Sequence, residues 1–181
     1  MRLGVPGERC HVVYPQVDAE LFRPVDARQL RSELGLADRI VVGFCGRLVR
    51  EKGIDLLIDA VSALPEEYSL LLVGGGRELP ALLRRAAERG TGERIRAVGH
   101  VPLKQVPGLL CAMNMLVLPS RPMPEWEEQY GRVLPQAMLC GVPVIGSSSG
   151  AIPTGGSPRS AAARRSSGVI STEAISRLCA W

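Results

Sequence analysis

Residues 40–64 read IVVGFCGRLVREKGIDLLIDAVSAL, and the fold turns on this stretch. Its opening, IVVGFCG, is a continuous apolar run closed by a glycine, as expected of a strand buried on both faces of a parallel sheet. The polar loop GRLVREKG follows. GIDLLIDAVSAL then sets Leu57, Val61 and Leu64 on one helical face. A buried strand, a polar loop and an amphipathic helix make one unit of an α/β domain.

The same unit recurs downstream. YSLLLVGGG (68–76) is a second buried strand ending in three glycines, and RELPALLRRAAERG (77–90) is a charged amphipathic helix closed by Gly90. RIRAVGHV (94–101) is a third strand and LKQVPGLLCAM (103–113) a short interrupted helix. NMLVLPS (114–120), GRVLPQAMLCG (131–141) and VPVIGS (142–147) complete the series as strand, helix and strand. Alternation of this kind predicts parallel pairing with right-handed crossovers, hence a doubly wound, Rossmann-like sheet over residues 40–153. Such sheets bind ligands at the carboxyl ends of their strands. Those ends read GRLVREKG, GGGRE, GHVP, PSRPMPEWEEQYG and GSSSG, all glycine-rich or polar.

Composition agrees with an α/β class. Of 181 residues, 46 % are hydrophobic but only 4 % aromatic, so the core is aliphatic. The formal net charge of +4 is concentrated in Thr154–Trp181, where four arginines and one acid leave the rest of the chain at +1. No basic stripe remains to suit a nucleic-acid backbone. The five cysteines, Cys10, Cys45, Cys111, Cys140 and Cys179, form no C-x-x-C pair. They read as reduced thiols in a cytoplasmic protein rather than as a zinc site or disulfide framework. No apolar run approaches the ~20 residues of a membrane span, and MRLGVPGERC is not a signal peptide.

The flanks differ from the core pattern. HVVYPQVDAELFRP (11–24) offers a brief strand and a turn, and DARQLRSELGL (26–36) a helix of two to three turns, together a lead-in over residues 1–39. After Pro153 the text becomes TGGSPRSAAARRSSGVISTEAISRLCAW, with little periodicity; only STEAISRL could start a helix. Twenty arginines against two lysines suggest a GC-rich gene, in which a shifted frame yields such Arg/Ala/Ser/Gly text. Residues 154–181 are therefore expected to be an irregular, out-of-frame tail.

The strand ends carry the chemistry. Gly131, Arg132 and Val133 open a helix, where free N–H groups and the positive end of the dipole suit a phosphate. Pro135 falls in the first turn, where its missing N–H costs little. A plain helix start fits these residues too. Arg47, after Gly46 at the end of the first strand, and Lys52 before the next helix could neutralise a diphosphate and stabilise it as a leaving group. Two ordinary surface cations fit as well. Glu128, one turn ahead of the helix, would repel phosphate but could accept hydrogen bonds from sugar hydroxyls, and the amide of Gln136 could reach a ribose hydroxyl. Glu125 and Glu127 read as solvated charges, His11 as structural or exposed. His100 either lines a nucleotide pocket or is a loop histidine without consequence. The sequence has no Walker-type phosphate loop and no G-x-G-x-x-G after the first strand. It also lacks a D-x-D pair, which favours a site without metal or other cofactor.

GRLVREKGIDLLIDA, LLLVGGG, GHVP, LVLPS and EEQYGRVLPQAMLCGVPVIGSSSGAIP, in this order and spacing, resemble the family 4 (group 1) retaining glycosyltransferases of the GT-B fold. The resemblance runs from Val12 to Pro153 and is to the C-terminal, donor-binding half. It implies that Arg47 and Lys52 bind the diphosphate of a nucleotide sugar, that Glu128 holds sugar hydroxyls, and that the amides of Gly131, Arg132 and Val133 meet phosphate. It also implies that the loop at His100 and Val101 meets the base. At Gln136 the family normally has a second glutamate, bidentate to the ribose diol. An amide offers one acceptor and a donor where a carboxylate offers two acceptors, a loss on the order of 1 kcal/mol.

Other departures concern the ends. The chain begins where the family's linker into its second domain begins, YPQVDAELF lacks the glycine usual before its aspartate, and after GAIP the expected glutamate is replaced by TGG. These imply a donor half without the acceptor-binding domain, inactive alone. The complete enzyme would be cytoplasmic or peripheral at the inner membrane face, transferring sugar to a glycan or lipid-linked acceptor. A non-catalytic nucleotide-binding module, an inactive relic and an epimerase sharing the fold are the competing readings.

Overall fold

A computed structural model describes residues 7–9, 11 and 15–152. Five strands form one sheet: β1 (Ile40–Cys45), β2 (Tyr68–Val73), β3 (Ile95–Gly99), β4 (Met115–Leu118) and β5 (Val144–Gly146), in the order β3-β2-β1-β4-β5 and parallel throughout. Each apolar run of the sequence is a strand here. Val41, Phe44, Leu70, Leu71, Leu72 and Leu116 are wholly buried, which is why these strands carry no polar alternation.

Between the strands lie α2 (Ile54–Ser62), α3 (Leu79–Glu88), α4 (Val106–Cys111) and α5 (Val133–Leu139). The chain moves outward from β1 to β3, then crosses back to place β4 on the other side of β1. Right-handed crossovers in opposite directions put α2 and α3 on one face and α4 and α5 on the other. The gap between the carboxyl ends of β1 and β4 is the switch point of the sheet, where a doubly wound fold leaves its crevice.

The helices are shorter than their sequence patterns. The helix expected over 26–36 is α1 (Arg28–Glu33), six residues long. Asp26 starts it by accepting the Arg28 N–H (3.0 Å), and the chain leaves it at Gly35, whose φ of +68° ends a helix. The interrupted helix at 103–113 is a 3₁₀ turn, Leu103–Gln105, leading into α4. α5 begins at Val133, so Gln136 lies one turn inside it. The lead-in is fastened to the domain: Phe22, Ala27 and Leu36 are buried in the same core as the strands. Arg31 of α1 donates to the carbonyls of Ala112 (3.0 Å) and Arg39 and to Oδ1 of Asn114 (3.0 Å), which also accepts the Val41 N–H (2.8 Å). The strand expected at 11–14 falls largely outside the described residues, as does the tail after Ile152.

Candidate functional site

At the switch point the carboxyl ends of the strands enclose a cavity of about 1100 Å³. Its lining includes Gly46, Arg47, Lys52, His100, Val101, Glu128, Gly131, Arg132, Val133 and Gln136, all ten residues that the sequence singled out. They come from loops up to 90 residues apart and meet because each follows, or leads from, a strand of the same parallel sheet.

One wall is built from β1 and β2. Gly46 N–H donates to the Val73 carbonyl (2.9 Å) and Leu48 N–H to that of Gly75 (2.9 Å), so the loop after β1 lies directly on the loop after β2. The three glycines after β2 exist for this approach. A Cβ on Gly74, whose φ is +125°, would stand 2.0 Å from the Gly46 carbonyl oxygen; one on Gly76 would stand 2.2 Å from that of Leu48. This packing leaves the Arg47 side chain exposed at the cavity, without an ion pair or hydrogen bond among the described residues.

The opposite wall comes from β4, β5 and α5. Gly131 takes φ +66° and packs against Leu118 and Leu134, where a Cβ would come within 3.0 Å. The N–H groups of Gly131, Arg132 and Val133 donate to no backbone acceptor among the described residues, as at any helix start. Arg132 is exposed, and Gln136 stands half-buried behind it. His100 is exposed and Val101 half-buried at the end of β3, with Pro102, Leu103 and Val106 continuing an apolar side of the cavity. Tyr130 closes the wall toward the lead-in, its hydroxyl donating to the Pro15 carbonyl (3.0 Å).

Lys52 and Glu128 differ from their reading in the sequence in one respect. Each was expected to face a ligand on its own, whereas here they face each other. The Lys52 ammonium donates to Oε2 of Glu128, and the two side chains are only 14 % and 10 % exposed. The same oxygen accepts the Ser120 hydroxyl at 2.9 Å, and the ammonium lies 5.0 Å from the centroid of the Trp126 ring. The backbone of Glu128 is held as well: its carbonyl accepts the Ala151 N–H (2.8 Å), and Gly150 passes so close that a Cβ would stand 2.2 Å from that oxygen. The Ser147 hydroxyl donates to the Ser120 carbonyl, tying β5 into the same network. Ser120, Trp126 and Tyr130 were missed in the sequence. Ser120 ends the strand segment LVLPS, where any polar residue caps an apolar run, and Trp126 sits among the prolines and acids of a loop; neither carries a spacing signal.

Cys45, at the cavity floor, is mostly buried, and burial pushes its thiol up to about 11, so it offers no thiolate near neutrality. Among the described residues no three His, Cys, Asp or Glu side chains cluster as metal ligands, and no helix is long and apolar enough to cross a membrane.

A model of the group 1 glycosyl transferases matches residues 39–177. The D-inositol 3-phosphate glycosyltransferase 1 of Catenulispora acidiphila is 36 % identical over 164 residues, covering 83 % of this chain and 38 % of that protein. The corresponding enzyme of Mycobacterium marinum is 33 % identical over 151 residues, 80 % and 31 % respectively. Anabaena Alr3699/HepE, solved in complex with UDP and glucose, superposes with a TM-score of 0.74 at 30 % identity over 84 % of this chain and 42 % of that one. The isolated C-terminal domain of a group 1 protein (LpcC) of Francisella tularensis shares the fold, with a TM-score of 0.65 at 20 % identity over 80 % and 74 %. The chain thus spans well under half the length of the curated relatives it matches. It belongs to the group 1 glycosyl transferases and corresponds to their C-terminal, Rossmann-like domain of the GT-B fold.

Proposed function

We propose that this chain is the donor half of a retaining glycosyltransferase, which holds a nucleotide sugar in the cavity between β1 and β4. The observation that carries the reading is the convergence of ten separately chosen residues on that one cavity. In this reading the diphosphate lies between the Arg47 guanidinium and the free amides of Gly131, Arg132 and Val133, which offer positive charge from both walls. The base lies toward His100 and Val101, and the ribose within reach of the Gln136 amide. The carboxylate of Glu128 accepts from hydroxyls of the sugar.

Transfer breaks the bond between the anomeric carbon and the diphosphate oxygen, and the electron pair leaves with the nucleoside diphosphate. Arg47 and Lys52 offset the negative charge that grows on the leaving group. An acceptor hydroxyl forms the new bond with configuration retained and gives up its proton to the departing diphosphate. The acceptor, a glycan or lipid-linked sugar, meets the donor from a second wall of the cleft that is not part of these residues. Since the sequence has no D-x-D pair, we assign charge neutralisation to the two cations and not to a metal. We further assign the complete enzyme to the cytoplasm, where sugar nucleotides are made.

Titration calorimetry of the chain with UDP, GDP and ADP tests the reading. UDP is tried first because the Anabaena relative was solved with it. One nucleotide is expected to bind, and Arg47→Ala is expected to weaken it by about 10- to 100-fold, the worth of a charge-assisted hydrogen bond. Binding of none of the three, or binding indifferent to Arg47→Ala, would overturn it.

A further inference from the structure

Lys52 has two partners that compete for it. Diphosphate neutralisation requires its ammonium at the cavity, yet that ammonium is already bonded to Glu128 and faces the Trp126 ring. Trp126 and Ser120 are not among the residues that line the cavity. They stand behind the pair: Ser120 fixes the carboxylate from one side and Trp126 offers its π-face to the cation. Trp126 is in turn held by a tight turn, its N–H and carbonyl exchanging bonds with Met123 at 3.1 and 2.8 Å.

The geometry points to Trp126 and Ser120 as positioning residues that store Lys52 on Glu128 while the site is empty, from where a bound diphosphate draws it away. This inference rests on the donor-binding reading above. It accounts for two mostly buried charges side by side at the cavity: each neutralises the other, where either alone would be costly. It also sets a discrimination. A bare nucleoside diphosphate takes Lys52 and leaves Glu128 without its cation, whereas a nucleotide sugar takes Lys52 and returns hydroxyl donors to the carboxylate. Storage therefore works against the product diphosphate more than against the donor, in the direction that favours release after transfer.

The test separates this inference from the reading it rests on. Binding of UDP by the unaltered chain tests the reading; the direction of change in two variants tests the storage. Glu128→Gln removes the competing anion and is expected to tighten UDP about tenfold, equivalent to about 1.4 kcal/mol. Trp126→Leu, at a residue that does not itself line the cavity, is expected to tighten UDP about three- to fivefold, the scale of one cation–π contact, and Trp126→Phe to restore the original affinity. General damage to the fold would weaken binding, so tightening is not produced by a merely structural role. Weaker or unchanged UDP binding in Trp126→Leu overturns the storage.

A second measurement needs no nucleotide. The chain has two lysines, Lys52 and the exposed Lys104, so acetylation by limiting acetic anhydride, read peptide by peptide, carries its own reference. Lys52 is expected to react several-fold more slowly than Lys104 in the unaltered chain, and to gain several-fold in Glu128→Gln and Trp126→Leu. Equal labelling of the two lysines in the unaltered chain overturns the proposal whether or not UDP binds.

Discussion

The two walls of the cavity are held by different means. The β1–β2 wall is backbone against backbone: glycines at 74 and 76 let one loop lie on the carbonyls of the next, and no side-chain hydrogen bond intervenes between them among the described residues. The β4–β5 wall is joined chiefly through side chains, with Ser147 on Ser120, Ser120 and Lys52 on Glu128, and Tyr130 on Pro15. Sterics allow one arrangement or none, whereas polar contacts can exchange partners. The first wall should therefore fail by unfolding, whereas the second can also fail by altered binding.

The sharpest break of that contrast is Gly74→Ala. Its Cβ would meet the Gly46 oxygen at 2.0 Å, at a φ that L-residues avoid. We expect a loss of at least about 3 kcal/mol of stability by urea denaturation. A loss under 1 kcal/mol would show that the loops after β1 and β2 part easily. Where Lys52 of the loop after β1 reaches across to Glu128 of the other wall, Lys52→Met leaves that carboxylate mostly buried without its cation and is expected to cost about 3 kcal/mol. The double change Lys52→Met/Glu128→Gln should recover most of this, and additive losses in the double-mutant cycle would show that the two charges do not depend on each other.

A smaller effect is expected at Gln136. Restoring a carboxylate with Gln136→Glu returns a second acceptor to the ribose diol and should tighten the bound nucleotide about tenfold; unchanged affinity would remove the residue from the ribose. The smallest concerns neither wall. The Arg85 hydrogen bond holds the Asp59 carboxyl below its ordinary value of 3.8, against the opposing effect of burial. A depressed folded value means that the pair adds stability above the unfolded value and loses it as pH falls through the folded one. Asp59→Asn should thus lower stability by no more than about 1 kcal/mol at pH 7, the side chains being partly exposed, and by progressively less at an acid pH below 3.8. An equal loss at both pH values would assign the effect to packing.

The sheet was legible in the sequence because its central strands are buried on both faces, and an apolar run such as IVVGFC or SLLLV needs no partner to be recognised. The cavity was legible for a related reason: in a parallel sheet all the strand ends that carry ligand chemistry lie on one edge, so locating the ends located the site. Helix ends were less legible, since α1 stops at a glycine placed by its own turn and α5 starts two residues after Gly131. The Lys52–Glu128 pair could not be read at all. Its members are 76 residues apart, and their meeting depends on β4 being placed beside β1 rather than beyond β3. The glycines at 74–76 were read only as a strand end, because what they admit, the Gly46 and Leu48 carbonyls, arrives from another loop.

Arg31 has a meaning for the order of assembly. α1 has six residues, too few to be helical alone, and its fastening reaches Arg39 before β1 and Ala112 and Asn114 before β4. Those acceptors come together only after β4 has crossed back over the sheet to lie beside β1. This helix, early in the chain, is thus secured among the last events of folding. Slow amide exchange at Arg31 and Leu34 would then report that the whole sheet has closed, from a position far from the strand that closes it.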